Sequence, residues 1–341
     1  TKIGRWWVTN MEGNQQSTDA TQNDVTSLAS VLGSRADDFI NQYQGTPSYA
    51  TTDNQGHWSA TGVINSFIDS DAFRFNASGP SASFTLRNAA EGAMLTPRLE
   101  LRTFPGNALV ATSNSSTANS YTVSAANLTI GGVYIVVASG DFPTNSMGQY
   151  SLNGTVQSFA SLSNGVLTVN GFPNVNDDIQ FDLYFLNPTK LYVDNAINGN
   201  PSQVAAFLFN WSEIDSIVIN TGTGNDTVRF LRSLPLAETT LDMGDGYDTL
   251  DVRGYDYGET FTISSTVVDW GYQPITLNST VDNLIVRGFQ GDDLFFLNSW
   301  DNPGIVQIYG GTENDSVHFG DAAVENYGGN LYFYGEAGSD T

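Results

Sequence analysis

The residues of this 341-residue chain best suited to chemistry are five aspartates, each closing a glycine-containing turn in the C-terminal half. They are Asp226, Asp248, Asp293, Asp315 and Asp340, at intervals of 22, 45, 22 and 25 residues. Carboxylates beside glycine turns, where backbone carbonyls are accessible, provide the hard oxygen ligands that Ca²⁺ prefers. The residue types and their recurrence therefore make all five candidate calcium ligands.

Apolar residues flank these turns in a common register. Positions nine and seven before the aspartate, and two and four after it, are apolar in nearly every copy, with Thr239 the exception. Alternating apolar positions are typical of strands that bury one face, so each unit is predicted to be a strand, a turn and a second strand. A recurring period of this size indicates a solenoid. We therefore expect an all-β chain in which residues 158–341 form a parallel β-helix or β-roll.

Stacked coils would bring the five corners together along one common edge, with neighbours about 4.8 Å apart. Two carboxylates at that distance repel by about 0.9 kcal/mol in bulk water, and a divalent cation between them would reverse the sign. The interval from Asp248 to Asp293 predicts a degenerate unit near Asp269-Trp270-Gly271, and Asp177 is interpreted as a worn earlier copy. A second interpretation stays open, because aspartate in such turns can cap backbone amides without any metal.

Residues 57–157 alternate with the two-residue period of half-buried strands. Phe73 and Phe75 share one strand face, and similar pairs recur between segments rich in Gly, Asn and Pro. Six or more short strands of this kind predict a β-sandwich. Asp69 and Asp71, at the start of one strand, are interpreted as ordinary residues of a solvated face.

Residues 1–56 are predicted to be a linker with one short helix, at the end of an upstream domain. Asn23 or Asp24 can cap a helix whose apolar residues share one face, and Gly33 is a stop signal. The chain starts at Thr1 and stops inside a turn motif, so we expect it to be an internal piece of a longer protein.

Composition argues against several classes of function. Thirty-six acidic against 12 basic side chains give a net charge of −24, which opposes nucleic-acid binding. No apolar run approaches the ~20 residues of a membrane span. Cysteine is absent, so the chain has neither disulfides nor thiolate metal sites. Strong acidity with few lysines, in a Gly- and Asn-rich background, predicts an extracellular or cell-surface location.

The sequence predicts no catalytic site and no zinc site within these residues. His57 and His318 are the only histidines, and no His-Glu-x-x-His, Gly-x-Ser-x-Gly or phosphate-binding loop occurs. Two isolated histidines cannot form a His-based zinc site. Calcium is the one expected cofactor.

The corner turns resemble the nonapeptide repeats of repeats-in-toxin proteins, which read Gly-Gly-x-Gly-x-Asp-x-apolar-x. Gly222-Thr223-Gly224-Asn225-Asp226 and Gly244-Asp245-Gly246-Tyr247-Asp248 fit this pattern, and Gly310-Gly311 supplies the leading glycine pair. The resemblance implies weak calcium binding by a parallel β-roll.

A second resemblance covers residues 57–157, which look like a bacterial pre-peptidase C-terminal domain. It is carried by Asp69-Ser70-Asp71-Ala72-Phe73-Arg74-Phe75, Leu99-Glu100-Leu101, Gly131-Gly132-Val133-Tyr134-Ile135-Val136-Val137 and Gly148-Gln149-Tyr150-Ser151-Leu152. That family comprises small β-sandwiches attached to secreted proteases. Related sandwiches in bacterial collagenases hold calcium at their N-terminal edge through Asp and Asn. The resemblance thus makes Asp37, Asp38 and Asn41 further candidate ligands.

The segment from Trp6-Trp7 to Asp37-Asp38 is similar to one that joins a zinc metallopeptidase domain to such a sandwich in secreted bacterial proteins. This resemblance implies a peptidase active site upstream of Thr1. We therefore hypothesise that the chain is the non-catalytic C-terminal region of a secreted bacterial protein, with a metallopeptidase as first candidate. Its work would be calcium-dependent extracellular folding, secretion, or attachment to a substrate or surface.

Two other classes of function stay open. One is an adhesin or surface-layer module with no linked enzyme. The other is a carbohydrate-active β-helix, whose exposed aromatic residues would be sought in Trp270, Tyr272 and Trp300. The expected partners are extracellular matrix, polysaccharide or a cell-surface ligand, and the expectation includes neither nucleic acid nor a membrane span.

Overall fold

The computed structural model describes most of the chain from residue 37 onward. The described residues are 37–41, 46–50, 53, 56–66, 68–88, 95–113, 120–140, 146–183, 187–200, 204–231, 237–271, 274–300, 304–320 and 329–341. The helix predicted to follow Asn23 lies outside them. Within these ranges the prediction of an all-β chain is confirmed, since the one helical element is a single 3₁₀ turn, Trp211–Glu213.

The described residues divide into two compact units. The first comprises those up to Leu128 together with Gly132–Gln157, and the second comprises Thr129–Gly131 together with those from Ser158 onward. The strands of the first unit are β1 (Ser48–Tyr49), β2 (His57–Ile64), β3 (Ser70–Asn76), β4 (Ala82–Asn88), β5 (Pro97–Thr103), β6 (Leu109–Thr112), β7 (Ser120–Ala125), β8 (Val133–Gly140) and β9 (Gly148–Val156).

Two sheets of the first unit share one apolar core. One has the order β1-β3-β8-β5-β6, and the other has the order β2-β9-β4-β7. Phe75 of β3 packs against Phe84 of β4 with ring centroids 5.0 Å apart, so the facing sheets interlock across the core. Burial of such rings is the main stabilising contribution in a two-layer β structure.

The second unit contains β10 to β26. They are β10 (Ala160–Ser163), β11 (Val166–Asn170), β12 (Asp177–Leu183), β13 (Lys190–Ile197), β14 (Val204–Asn210), β15 (Ser216–Asn220), β16 (Thr227–Phe230), β17 (Glu238–Asp242), β18 (Thr249–Arg253), β19 (Thr260–Ser264), β20 (Val267–Asp269), β21 (Ile275–Leu277), β22 (Asn283–Gln290), β23 (Leu294–Ser299), β24 (Ile305–Thr312), β25 (Ser316–Phe319) and β26 (Asn330–Ala337).

These strands form two sheets. The nine-stranded sheet has the order β10-β11-β15-β17-β21-β20-β19-β23-β25, and the eight-stranded sheet has the order β14-β13-β12-β16-β18-β22-β24-β26. Most neighbours are parallel, and residues one coil apart pair in register, as Val228 does with Leu250. Parallel pairing at the sequence period is what a solenoid requires, whereas the antiparallel strands β10, β13 and β20 depart from that pattern.

Inward positions of successive strands form columns of buried apolar side chains. Leu250, Leu284 and Val306 lie side by side on β18, β22 and β24 and are all fully buried. The same core contains Trp270 and Trp300, which are at most 1% exposed. Neither tryptophan can therefore belong to an exposed carbohydrate platform, and Tyr272 lies outside the described residues.

The expectation that all five acidic corners share one edge is wrong. At Asp226 and Asp248 the chain passes from the nine-stranded to the eight-stranded sheet, whereas at Asp293 and Asp315 it passes in the opposite direction. Since the strands before each kind of corner run parallel, the two kinds lie at opposite edges of the sheet pair. Asp340 follows β26 and belongs with Asp293 and Asp315.

The irregular interval of 45 residues between Asp248 and Asp293 has a specific cause. The strands β19, β20 and β21 fold back on each other within the nine-stranded sheet, which lengthens one coil. Asp248 and Asp282 occupy equivalent corners of that coil and are 34 residues apart instead of 22. Beyond it, the Gly-Asp motif occupies the other corner of each coil, so the segment around Asp269 is an antiparallel hairpin and not a degenerate repeat.

Candidate metal centre

Three carboxylates converge at the N-terminal end of the first unit. One oxygen from each of Asp37, Asp69 and Asp71 lies within 4.8 Å of the other two. Asp69 immediately precedes β3 and Asp71 is its second residue. Alternation along the strand puts Asp71 on the same side as Phe73 and Phe75, and this is why its side chain is fully buried. Asp69 is only 5% exposed.

Each buried aspartate uses one oxygen for folding and leaves the other unpaired. Asp69 Oδ2 accepts the Asn65 backbone N–H at 2.6 Å, and Asp71 Oδ2 accepts the Tyr150 hydroxyl at 2.5 Å. Both Oδ1 atoms are buried without a hydrogen-bond partner among the described residues. A buried acceptor without a donor is costly, so these two atoms are the strongest indication of a cation-binding site.

The segment preceding the sandwich is tied to the same place. Asn41 Oδ1 accepts the Ser70 backbone N–H at 2.6 Å, and Asn41 Nδ2 donates to Asp37 Oδ2 at 3.2 Å. Asp38 Oδ2 accepts the Val63 backbone N–H at 3.1 Å. The structure thus brings Asp37, Asp38 and Asn41 beside the start of β3.

Asp69 and Asp71 were missed as site residues by the sequence analysis, which assigned them to a solvated face. The sequence contained one indication that they are buried. Asp69 and Asp71 lie at alternate positions in the same series as Phe73 and Phe75, so all four side chains point to the same side of the strand. Charged residues at core-facing positions are rare unless they are paired or bind a metal. We name the set of Asp37, Asp69 and Asp71 the β3 carboxylate cluster.

The electrostatics of the β3 carboxylate cluster favour a bound positive charge. Burial raises the pKa of Asp71 to about 8, although the Tyr150 hydroxyl opposes the shift, and the neighbouring carboxylates raise it further. Burial likewise raises the pKa of Asp69 to about 6, with Asp37 and Asp38 adding to the effect. Carboxylates at this spacing can all stay ionised only when a cation compensates their charge, and otherwise one or more of them takes up a proton.

The donor set fits a hard divalent cation. Every candidate ligand is a carboxylate or amide oxygen, which suits calcium or magnesium and offers none of the nitrogen or sulfur that zinc usually takes. Calcium–oxygen distances of about 2.3–2.6 Å place oxygens on opposite sides of the ion about 5 Å apart. The three oxygens of the β3 carboxylate cluster lie within 4.8 Å of one another, so all of them are near enough to contact one ion.

The five predicted corner aspartates belong to two separate columns of acids in the second unit. The first corner column contains Asp177, Asp226, Asp248 and Asp282. In it the backbone N–H of each of the first three donates to a carboxylate oxygen of the next acid, at 2.8 Å, 2.8 Å and 2.9 Å. Asp177, interpreted from the sequence as a worn copy of the repeat, thus belongs fully to the first corner column. Asp282 belongs to it as well but was not predicted from the sequence.

The second corner column contains Glu259, Asp293, Asp315 and Asp340. Backbone N–H groups again donate along it to Oδ1 of the next acid, at 2.7 Å, 2.9 Å and 3.0 Å. Glycine stands five residues before each of the three aspartates, and a Cβ at Gly310 would lie 2.2 Å from Asp315 Oδ2. Glu259 was not predicted from the sequence, because it lacks the Gly-Asp signature.

These contacts correspond to the metal-free interpretation of the corners, in which the carboxylate satisfies backbone amides. The second oxygens of Asp226, Asp293 and Asp315 are nevertheless buried and unpaired among the described residues. Burial raises the pKa of Asp293 to about 7 and that of Asp248 to about 6, and adjacent carboxylates add to both shifts. Calcium at Asp226, Asp248, Asp293, Asp315 and Asp340 therefore stays a prediction.

The two histidines lie in different units. His57 is paired with Asp53 at 3.4 Å in the first unit, and the His318 ring packs near Phe296 in the second. Neither lies in the β3 carboxylate cluster.

Comparison with known proteins identifies no relative. No protein-family model, no curated protein and no solved structure matches the chain. Within the described parts of the chain, no helix has the length and apolar character needed to cross a bilayer.

Proposed function

We propose that the first unit is a calcium-binding module and that the β3 carboxylate cluster is its metal site. The observation that carries this proposal is the pair of buried, unpaired oxygens, Asp69 Oδ1 and Asp71 Oδ1, beside a carboxylate of Asp37. A bound Ca²⁺ would offset two of the three negative charges of the cluster and give both atoms a partner. Asn41 Oδ1 and Asp38 are the nearest candidates for further ligands.

Calcium at this position would order the segment that leads into the sandwich. Residues 37–41 contact strand β3 through the Asn41 side chain, which accepts from Ser70, through the Ile40 carbonyl, which accepts the Ala72 backbone N–H, and through the Phe39 ring, which packs on Phe73. Without a cation these contacts must overcome repulsion among Asp37, Asp69 and Asp71. With a cation the same residues become a shared coordination shell. The site would thus fix the approach of any preceding domain to the sandwich.

We infer that the chain acts as a non-catalytic extracellular region in which calcium favours folding outside the cell. Calcium is scarce in cytosol and plentiful outside cells, and extracellular calcium modules bind with dissociation constants of about 10⁻⁴ to 10⁻³ M. A metallopeptidase remains the first candidate for the parent protein, and an adhesin or surface-layer protein is the alternative. A zinc-binding helix in the preceding sequence would favour the peptidase, whereas further β repeats would favour the adhesin.

The test is calcium titration of the full chain by isothermal calorimetry, together with melting temperature in chelator and in millimolar calcium. The expected result is saturable binding and a higher melting temperature. Asp71→Asn and Asp69→Asn should abolish calcium binding at the β3 carboxylate cluster, because each removes a charged ligand oxygen. Asp53→Asn is the matched control, since Asp53 is an exposed acid of the same unit. Calcium binding whose stoichiometry and affinity both cluster variants leave unchanged would refute this site.

A further inference from the structure

The outer face of the eight-stranded sheet carries a cavity that the calcium proposal does not use. It has a volume of about 310 Å³ and lies over β22, β24 and β26. Its lining residues are Asp256, Arg287, Phe289, Gln290, Tyr309, Gly311, Thr312 and Glu336. That volume is at the lower end of the range of ligand pockets, about 300–1,000 Å³.

A single glycine creates the cavity floor. Phe289 of β22 pairs with Gly311 of β24, which pairs in turn with Glu336 of β26. The middle strand therefore has no side chain in this row, and the flanking rows are about 10 Å apart. A Cβ at Gly311 would lie 2.0 Å from Phe289 O, so no other residue fits there without a shift of the backbone.

Phe289 occupies a backbone position that disfavours it. Its φ is 81°, in the left-handed region. The equivalent position is a glycine before Asp226, Asp248 and Asp315, and before Asp340 it is Glu336, whose φ is 68°. A non-glycine residue in this region costs roughly 1–2 kcal/mol. Phe289 is also 39% exposed, so part of its apolar surface stays in contact with water. An exposed ring at a strained position is unfavourable for folding and is a sign of function.

Polar groups surround this ring with both signs of charge. Arg287 stacks over the Tyr309 ring at 4.6 Å, and its Nε donates to Asp251 Oδ1 at 3.3 Å. Asp256 and Glu336 add two exposed carboxylates. The carboxylates disfavour an anionic ligand, and the guanidinium disfavours a cationic one. An uncharged ligand that hydrogen-bonds to several groups and packs apolar C–H surface on a ring fits the lining best.

We propose that this cavity binds a neutral saccharide, as a short segment of an uncharged polysaccharide. Phe289 would pack against one face of a sugar ring, as aromatic side chains do when they bury C–H surface. Glu336 and Asp256 would accept hydrogen bonds from hydroxyls, and Arg287 would donate to ring or hydroxyl oxygens. The aromatic residues suggested by the sequence, Trp270 and Trp300, have no part in this site because they are buried in the core.

The test is calorimetric titration of the full chain with hexasaccharides of glucose, mannose and xylose, and with an alginate hexasaccharide as the anionic comparison. Phe289→Asn removes the ring, and asparagine tolerates the left-handed backbone, so the fold should be retained. We expect one neutral hexasaccharide or more to bind, about tenfold weaker after Phe289→Asn. Glu336→Gln should also weaken binding, whereas Tyr247→Ala, at an exposed tyrosine far along the chain, should not.

The calcium proposal and the saccharide proposal can be refuted separately, because the saccharide titrations are run with and without chelator. Absence of binding by all neutral hexasaccharides would overturn the proposal. So would equal binding of the alginate hexasaccharide, or binding that Phe289→Asn leaves unchanged while its melting temperature matches the parent.

Discussion

The backbone N–H of Asp293 donates a hydrogen bond at 2.9 Å to Oδ1 of Asp315, which lies 22 residues later and one coil away. The carboxylate of one corner thereby satisfies the backbone of its neighbour, and Asp340 does the same for Asp315 at 3.0 Å. A repeated aspartate can therefore be explained by a repeated backbone requirement. Whether calcium also binds at the corners depends on whether the second oxygen of each carboxylate coordinates a metal ion.

Substitution of Asp315 separates these two roles. Asp315→Ala removes the acceptor and leaves a buried N–H unpaired, so we expect a loss of about 1–3 kcal/mol in the free energy of unfolding. Asp315→Asn keeps an oxygen acceptor and removes a buried negative charge, so its stability in chelator should stay within about 1 kcal/mol of the parent. Urea denaturation in chelator and in millimolar calcium measures both variants.

The exposed acid Asp245 provides the control, as Asp245→Asn, because it lies outside the two corner columns. Asp315→Asn that matches the parent in chelator but loses its stabilisation by calcium would establish a metal at the second corner column. A calcium response equal to that of the parent would leave the backbone contact as the sole role of Asp315.

The glycine five residues before the aspartate is the second requirement of the second corner column. A Cβ at Gly310 would lie 2.2 Å from Asp315 Oδ2, and the backbone there has no positive φ to explain the glycine. We expect Gly310→Ala to lower the free energy of unfolding by about 1–3 kcal/mol, as other overpacking substitutions do. Thermal and urea unfolding provide the measurement.

Gly199→Ala is the comparison for this prediction. A Cβ at Gly199 would meet no atom within 4 Å, but the backbone there has a φ of 65°, so this substitution reports backbone strain without overpacking. A Gly310→Ala variant as stable as the parent would contradict the steric explanation.

The sequence predicted the repeat, its strands and all five corner aspartates, because a period and an alternation are local properties. The division into two columns was not predictable in this way. It depends on the β19–β21 hairpin and on Asp282 and Glu259, which lack the glycine signature and are recognised only by the atoms they contact.

The β3 carboxylate cluster was predicted only in part, for a similar reason. Asp37, Asp38 and Asn41 were suggested by a resemblance, whereas Asp69 and Asp71 were assigned to a solvated face. Asp71 is buried against Tyr150, which lies 79 residues further along the chain and donates its hydroxyl to Asp71 Oδ2. Such a contact is a property of the tertiary structure, and only the alternation with Phe73 could have indicated it.

Tyr150 is expected to support the β3 carboxylate cluster without binding metal itself. Tyr150→Phe would leave both oxygens of Asp71 without a donor among the described residues, which costs about 1–3 kcal/mol in the absence of calcium. Calcium should offset part of this loss, because it binds the same carboxylate. The measurement is melting temperature with and without calcium, alongside calorimetric calcium binding.

Tyr49→Phe is the matched control, since the Tyr49 side chain is exposed in the same unit. Equal melting temperatures for Tyr150→Phe and the parent in chelator would show that the hydroxyl is dispensable to Asp71.

The final prediction concerns pH, because buried acids of the second corner column prefer their neutral form. Burial raises the pKa of Glu259 to about 7, and it raises the pKa of Asp293 to about 7 with help from the charges of Asp315 and Glu259. The ordinary values are 4.5 and 3.8, so between about pH 4 and 7 the folded state binds more protons than the unfolded state. This contribution to stability is therefore complete below the ordinary values and is lost as pH rises through 7.

We expect the free energy of unfolding in chelator to be larger at pH 5 than at pH 8. Urea denaturation at intervals across this range gives the slope, in which one pKa unit corresponds to about 1.4 kcal/mol. Glu259→Gln is neutral at every pH and keeps an acceptor for the Tyr255 backbone N–H, so its slope should be shallower than that of the parent. A parent that becomes more stable from pH 5 to pH 8, or a Glu259→Gln slope equal to it, would show that the buried carboxyls do not carry the effect.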